Sequence, residues 1–184
     1  MKFLKQSMYY SMLCLALVFA SCGSDDNGDG GDDGGDNGGG AEFVTAKVAG
    51  ADFAASQNPA VLVGATKANQ GGVSLLTVQG SNNDGDFINF TIFEYNGPGT
   101  YTTGDSPANV SLIQYGELTG TTGADVWASN LASSQVGGLT PGEINVTVDE
   151  NGVVEGTFMF EGYNPADMTT KNITNGEFKA NLDN

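Results

Sequence analysis

The chain has 184 residues, 39% of them apolar, and carries 6 Lys or Arg against 22 Asp or Glu for a formal charge of −16, with no histidine. Nucleic acid and anionic lipid surfaces are excluded as partners, because both are held by clustered Lys and Arg. With neither His nor Arg, histidine-based triads, His-ligated zinc and guanidinium forks for phosphate or carboxylate are excluded too.

The first 21 residues read as a secretory signal. Lys2 and Lys5 precede an apolar stretch from Met12 to Ala20 and a small residue, Ser21. The stretch is too short for a membrane span, which needs about 20 apolar residues. Phe19-Ala20-Ser21-Cys22 resembles a lipobox, with Phe19 where an aliphatic residue is more usual, so Cys22 is the expected site of lipidation. Cys14 is not an alternative, because Leu13 before it is not small. Processing leaves four lysines against 22 carboxylates, a charge of −18, and no thiol in the folded region. The fold therefore has no disulfide and depends on a buried core.

Residues 22–41 read as the lipidated cysteine and a flexible acidic tether. From Gly23 to Ala41 no apolar side chain exceeds alanine, so the segment cannot bury enough surface to offset its ordering entropy. Asp25, Asn27, Asp29, Gly30, Asp33 and Asp36 fall at calcium-loop positions, but Asp32 replaces an apolar residue, Asp36 replaces the longer Glu, and no helix flanks them. The solvated linker is the reading adopted, and no metal or other cofactor is expected. Ser24, Asp25 and Asp26 after the cysteine resemble the acidic export signal that carries Bacteroidota lipoproteins to the outer face of the outer membrane.

Residues 42–184 form one domain of 143 residues, long enough to bury about two-thirds of its unfolded surface. Nothing in it reads as a helix. Runs of Val, Ile, Thr and Phe broken by Gly, Asn and Asp predict an antiparallel β-sandwich or flattened barrel of about eight to ten short strands. The candidates begin with Phe43 to Val48, Asp52 to Ser56, Ala60 to Thr66 and Val73 to Gly80. Asp86 to Tyr95 follows, with Ile88, Phe90 and Ile92 facing inward, and a strand starting at Tyr101. Val110 to Tyr115, Asp125 to Ser129 and Ile173 to Asn181 complete the set beside one clear hairpin. In that hairpin Ile144, Val146 and Val148 alternate with polar residues, as do Val154, Phe158 and Phe160. A three-residue turn, Glu150-Asn151-Gly152, is predicted because it sets Val148 opposite Val154 and Ile144 opposite Phe158.

Phe43-Val44-Thr45-Ala46-Lys47-Val48-Ala49-Gly50, Gly99-Thr100-Tyr101-Thr102-Thr103-Gly104, Gly156-Thr157-Phe158-Met159-Phe160 and Asn172-Ile173-Thr174-Asn175-Gly176-Glu177-Phe178 resemble a domain-of-unknown-function family of small Bacteroidota lipoproteins. The resemblance implies an all-β, lipid-anchored envelope domain with no assigned activity and no catalytic residues to carry over.

Two carboxylates can hydrolyse a glycosidic bond, but Asp84 with Asp86 and Asp149 with Glu150 lie in predicted turns, where such residues serve local backbone bonding. The Asn-x-Ser/Thr triplets at Asn89, Asn109, Asn145 and Asn172 read as polar strand faces. Trp127, between Asp125 and Ser129, is predicted on the polar face with Val126 inward. It is the candidate ligand-binding residue, a ring that stacks on sugars, against the alternative of a partly buried cap. Tyr95, Tyr115 and Tyr163 carry the same ambiguity. The expected function is that of a non-enzymatic, lipid-anchored outer-membrane protein facing the cell exterior, its domain meeting a glycan or envelope protein. The alternative is a glycan-binding accessory lipoprotein of a nutrient-uptake system.

Overall fold

A computed structural model describes residues 41–56, 62–120, 123–136 and 138–183. The signal peptide, Cys22, Ser24, Asp25, Asp26 and the acidic tether with its calcium-like positions lie outside the described residues.

The elements are β1 (Phe43–Val48), β2 (Ala51–Ser56), β3 (Val63–Gln70), β4 (Val73–Ser81), β5 (Phe87–Phe93) and β6 (Gly99–Thr102). They continue with β7 (Leu112–Thr119), β8 (Gly123–Ser129), α1 (Leu131–Ser134), β9 (Glu143–Glu150), β10 (Val153–Asn164) and β11 (Thr169–Asn181). All strand pairs are antiparallel, in the order β2-β1-β11-β10-β8-β7-β5-β4-β3, while β9 joins β10 on its first half and carries β6. The expected all-β class is observed.

The sheet curls on itself. Its β1 end lies over β4, where a Cβ at Gly80 would stand 2.7 Å from the side chain of Val44. At the other end β3 meets the chain terminus, with Ala65 bridged to Leu182 and its carbonyl accepting from Asp183 N–H at 2.8 Å. One apolar cluster fills the enclosed space and includes Val44, Phe53, Leu76, Phe90, Ile113, Ile144, Phe158, Ile173 and Phe178. The period-2 alternation of β1, β5 and the first part of β9 puts every second side chain into it.

The β9–β10 hairpin departs from the predicted turn. Val153 pairs with Glu150 around a two-residue Asn151-Gly152 turn with φ of 52° and 75°, the conformation this dipeptide favours. That register sets Val148 opposite Glu155, the mixed pairing that argued for a longer turn. A β-bulge resolves it: Val146 pairs with Gly156, leaving Thr147 as the extra residue, and Ile144 meets Phe158 as expected. Beyond the bulge Asp149, opposite Val154, takes the inward position in place of Val148.

A single helical turn was also missed. In α1, Asn130 Oδ1 accepts Ser133 N–H while Ser133 Oγ accepts Asn130 N–H, a reciprocal cap built by side chains rather than by apolar periodicity.

Candidate functional site

The two ends of the enclosed space carry matching devices, each a lysine, a carboxylate and a tyrosine. At the end where the chain enters β1, Asp149 Oδ1 binds Lys67 Nζ and Asp149 Oδ2 accepts the Tyr95 hydroxyl at 2.7 Å. Tyr101 lies beside Tyr95, ring centroids 5.5 Å apart, and its hydroxyl donates to Gly97 O at 2.6 Å. A cleft of about 430 Å³ opens here, lined among others by Lys67, Asn69, Leu75, Tyr95, Asn96 and Asp149. Burial pushes the Asp149 carboxyl up, but bonds from Lys67 and Tyr95 together with the Lys67 charge outweigh it and hold it below the usual range. Burial and the neighbouring carboxylate raise the Tyr95 hydroxyl.

The opposite end carries Trp127. Tyr115 on β7 pairs with Trp127 on β8, and Gly162 on β10 pairs with Lys171 on β11. Gly162 lets the β8 backbone come close to β10 at Trp127, since a Cβ there would stand 2.8 Å from Trp127 Cβ and 2.9 Å from its backbone carbonyl. The Lys171 ammonium sits 3.9 Å from the centre of the indole and 5.4 Å from that of Tyr115. It also pairs with Glu117 Oε1, which accepts the Tyr115 hydroxyl at 2.9 Å. Trp127 Nε1–H donates to Thr169 Oγ1 at 2.9 Å, and that hydroxyl donates to Asp167 Oδ1 at 2.7 Å. Burial pushes Glu117 up, yet Lys171 and Tyr115 bring it below the ordinary range.

The face assignment of β8 is therefore corrected. Trp127 is 5% exposed and Ser129 2%, so both point inward, while Val126 and Ala128 take the other side. The β7 partners, Ile113 and Tyr115, set this register. Ser129 is tolerated inside because Thr103 Oγ1 at 2.7 Å and Gly142 N–H at 2.9 Å satisfy its hydroxyl. With Lys171 over its ring and Tyr115 beside it, Trp127 has no bare face for stacking on a sugar. Tyr95 and Tyr115 are buried and Tyr163 half-buried; no aromatic among the described residues is exposed. Asp84 and Asp86 stay in their turn, where Asn82 Oδ1 accepts both backbone N–H groups.

Residues 51–180 match the family described as Domain of unknown function (DUF6252). The chain belongs to that family. No curated protein and no solved structure matches it significantly. The DUF6252 match runs from β2 to Ala180 on β11, so it takes in both lysine–carboxylate–tyrosine devices and leaves β1 ahead of it.

Each carboxylate is occupied by an ammonium and a phenol, and among the described residues no three Asp or Glu group to hold a metal. The arrangement anchors distant strands, β3 to β9 and β7 to β11. Asp149 and Glu150, expected in a turn serving local backbone bonding, both lie in β9, where Asp149 instead binds Lys67 and Tyr95. Sequence reasoning assigned no role to Glu117 or either lysine; the available signal was scarcity, since only four lysines follow the signal segment. All four are ion-paired, the other two being Lys47 with Asp52 and Lys179 with Glu155.

A carboxyl whose folded pKa is depressed stabilises the fold above its unfolded pKa and loses that contribution as pH falls through the folded value. Asp149→Asn is therefore expected to cost about 1.5–3 kcal/mol near neutral pH, the scale of a charge-assisted hydrogen bond. The gap to the wild type should close as pH drops below about 4. Urea midpoints from pH 7 to 3 measure this; a gap independent of pH would mean that the charge is not its source.

Proposed function

We propose that this chain is a non-enzymatic lipoprotein, held in the outer membrane by acylated Cys22 and carried to the outer face by Ser24, Asp25 and Asp26. The acidic tether of residues 22–41 spaces the β-domain from the membrane, and the domain serves binding or envelope contact rather than chemistry. The observation that carries the reading is Cys22 itself, placed directly after a basic start, a short apolar stretch and a small residue. Family membership adds a domain of unknown function, and the structure gives it an all-β fold.

The fold supports this reading in two ways. The inward carboxylates are spent on lysines and tyrosines that tie strands together. Three hairpin tips, Ala49-Gly50, Asn82 to Asp86 and Pro165 to Met168, share the end opposite the start of β1, and Gly120, just after β7, lies at that end too. Met168 at 78% and Leu118 at 51% exposure give that end apolar contact points among carboxylates.

Cys22→Ala tests the anchor. The variant is expected to leave the membrane fraction and to lose incorporation of labelled fatty acid, while protease treatment of intact cells should degrade the wild type if the export signal acts. Labelling that persists in the variant sinks the anchor, and full protection of the wild type from protease sinks surface display.

A further inference from the structure

We infer that the outer edge of β2 pairs with the same edge of a second copy, joining two domains through one continuous antiparallel sheet about a twofold axis at Ala54. The β1–β2 hairpin turns at Ala49 and Gly50, with φ of 48° and 90°, so Val48 and Ala51 form its first hydrogen-bonded pair. Alternation then bonds Ala46 with Phe53 and Val44 with Ala55, and turns the N–H and C=O groups of Asp52, Ala54 and Ser56 away from β1. β2 ends the strand order, so among the described residues these six groups meet no further strand.

Sheets ordinarily blunt such an edge. β6 is only four residues long, and β3 is met at Ala65 by Leu182 and Asp183 and carries Lys67. Among the described residues β2 has none of these devices. It pairs with β1 over six residues without a bulge, contains no proline or lysine, and holds one charge, Asp52, neutralised by Lys47 at 2.6 Å.

Self-pairing is what this edge fits. With Ala54 on the twofold, Ala54 faces its own copy and Asp52 faces the partner's Ser56, so no like charges meet and a carboxylate lies opposite a hydroxyl. The contact is isologous and closes at two. Charge argues against an unrelated acidic strand but not against this one. Between Glu42 and Asp183 the chain has 16 carboxylates and four lysines, yet the β2 edge is a locally neutral strip. Lipid anchoring in one plane would raise the effective concentration of the two copies further.

The test uses the full chain, purified in detergent after co-expression of two differently tagged copies, with sedimentation of the purified protein. The wild type should co-purify with its differently tagged copy and sediment as a dimer. Ala54→Lys sets two ammonium groups face to face and should weaken the dimer at least about tenfold. Ala54→Pro removes an N–H that no strand of the same chain uses, as edge strands tolerate, and should give a monomer with an unchanged melting curve. Ala54→Cys should form an oxidant-dependent disulfide dimer absent from the parent chain, which controls for Cys14 and Cys22. A wild type that is monomeric at every concentration overturns the inference, as does a dimer that survives Ala54→Lys.

Discussion

Phe158→Ala is expected to cost about 3–5 kcal/mol, a large part of the 5–15 kcal/mol that holds an ordinary domain together. For a domain of this size that is a fall in melting temperature of roughly 10–15 °C. Phe158 is 4% exposed, and its ring lies 6.1 Å from Phe90 and 6.5 Å from Phe178, which themselves meet at 5.0 Å. Across β9 it faces Ile144, fully buried. Across β11 it covers Gly176, where a Cβ would stand only 2.4 Å from the ring. Truncation thus opens a cavity beside two aromatics, Phe90 and Phe178, and uncovers a backbone that has no side chain of its own to fill the space. Thr157, one residue earlier, is exposed on the other face, and Thr157→Ala should stay within about 0.5 kcal/mol. Denaturant titration of both variants is the measurement, and equal losses would overturn the face assignment of β10.

That face was legible because β10 alternates cleanly, Val154, Phe158 and Phe160 against Glu155, Thr157 and Met159, and one apolar face of period 2 suffices to fix it. β1 and the centre of β5 were legible for the same reason. The bulges were not. Thr147 on β9 and the irregularity that leaves Asn175 at a φ of 51° on β11 look like any other polar strand residues, yet each shifts the register of the strand beyond it. One consequence is Asp149, which alternation assigned to solvent and the bulge turns inward toward Lys67 and Tyr95. The end of β3 was missed because its sequence becomes polar at Lys67, whereas pairing with Val73 to Leu76 carries it on to Gln70 and a Gly71-Gly72 turn. Ser129 and Trp127 misled for a related reason: a hydroxyl reads as surface, and its satisfying partner, Thr103, lies 26 residues away. The lysine–carboxylate pairs span 82 and 54 residues, beyond any local pattern.

Trp127→Ala decides between the two roles open to the lone tryptophan. A sugar platform needs a bare ring face, so its loss would abolish retention on a glycan and leave stability nearly unchanged. The indole instead lies 5% exposed under the Lys171 ammonium, against Tyr115 at 6.1 Å, with its N–H held by Thr169. The expected result is therefore a loss of about 3–5 kcal/mol, because truncation removes packing, the cation–π contact and a half-buried hydrogen bond together. Trp127→Phe separates these: it keeps most of the packing and should cost less, with about 1 kcal/mol assignable to the missing N–H donor. Since this is the only tryptophan, the wild type reports its own burial by fluorescence, which should be blue-shifted and shielded from acrylamide until the domain unfolds. A Trp127→Ala domain as stable as the wild type, together with lost retention of a glycan that the wild type binds, would restore the stacking role. A destabilised variant leaves Trp127 as the side chain that closes one end of the sheet, with Lys171 over its ring and Glu117 held by that lysine and Tyr115.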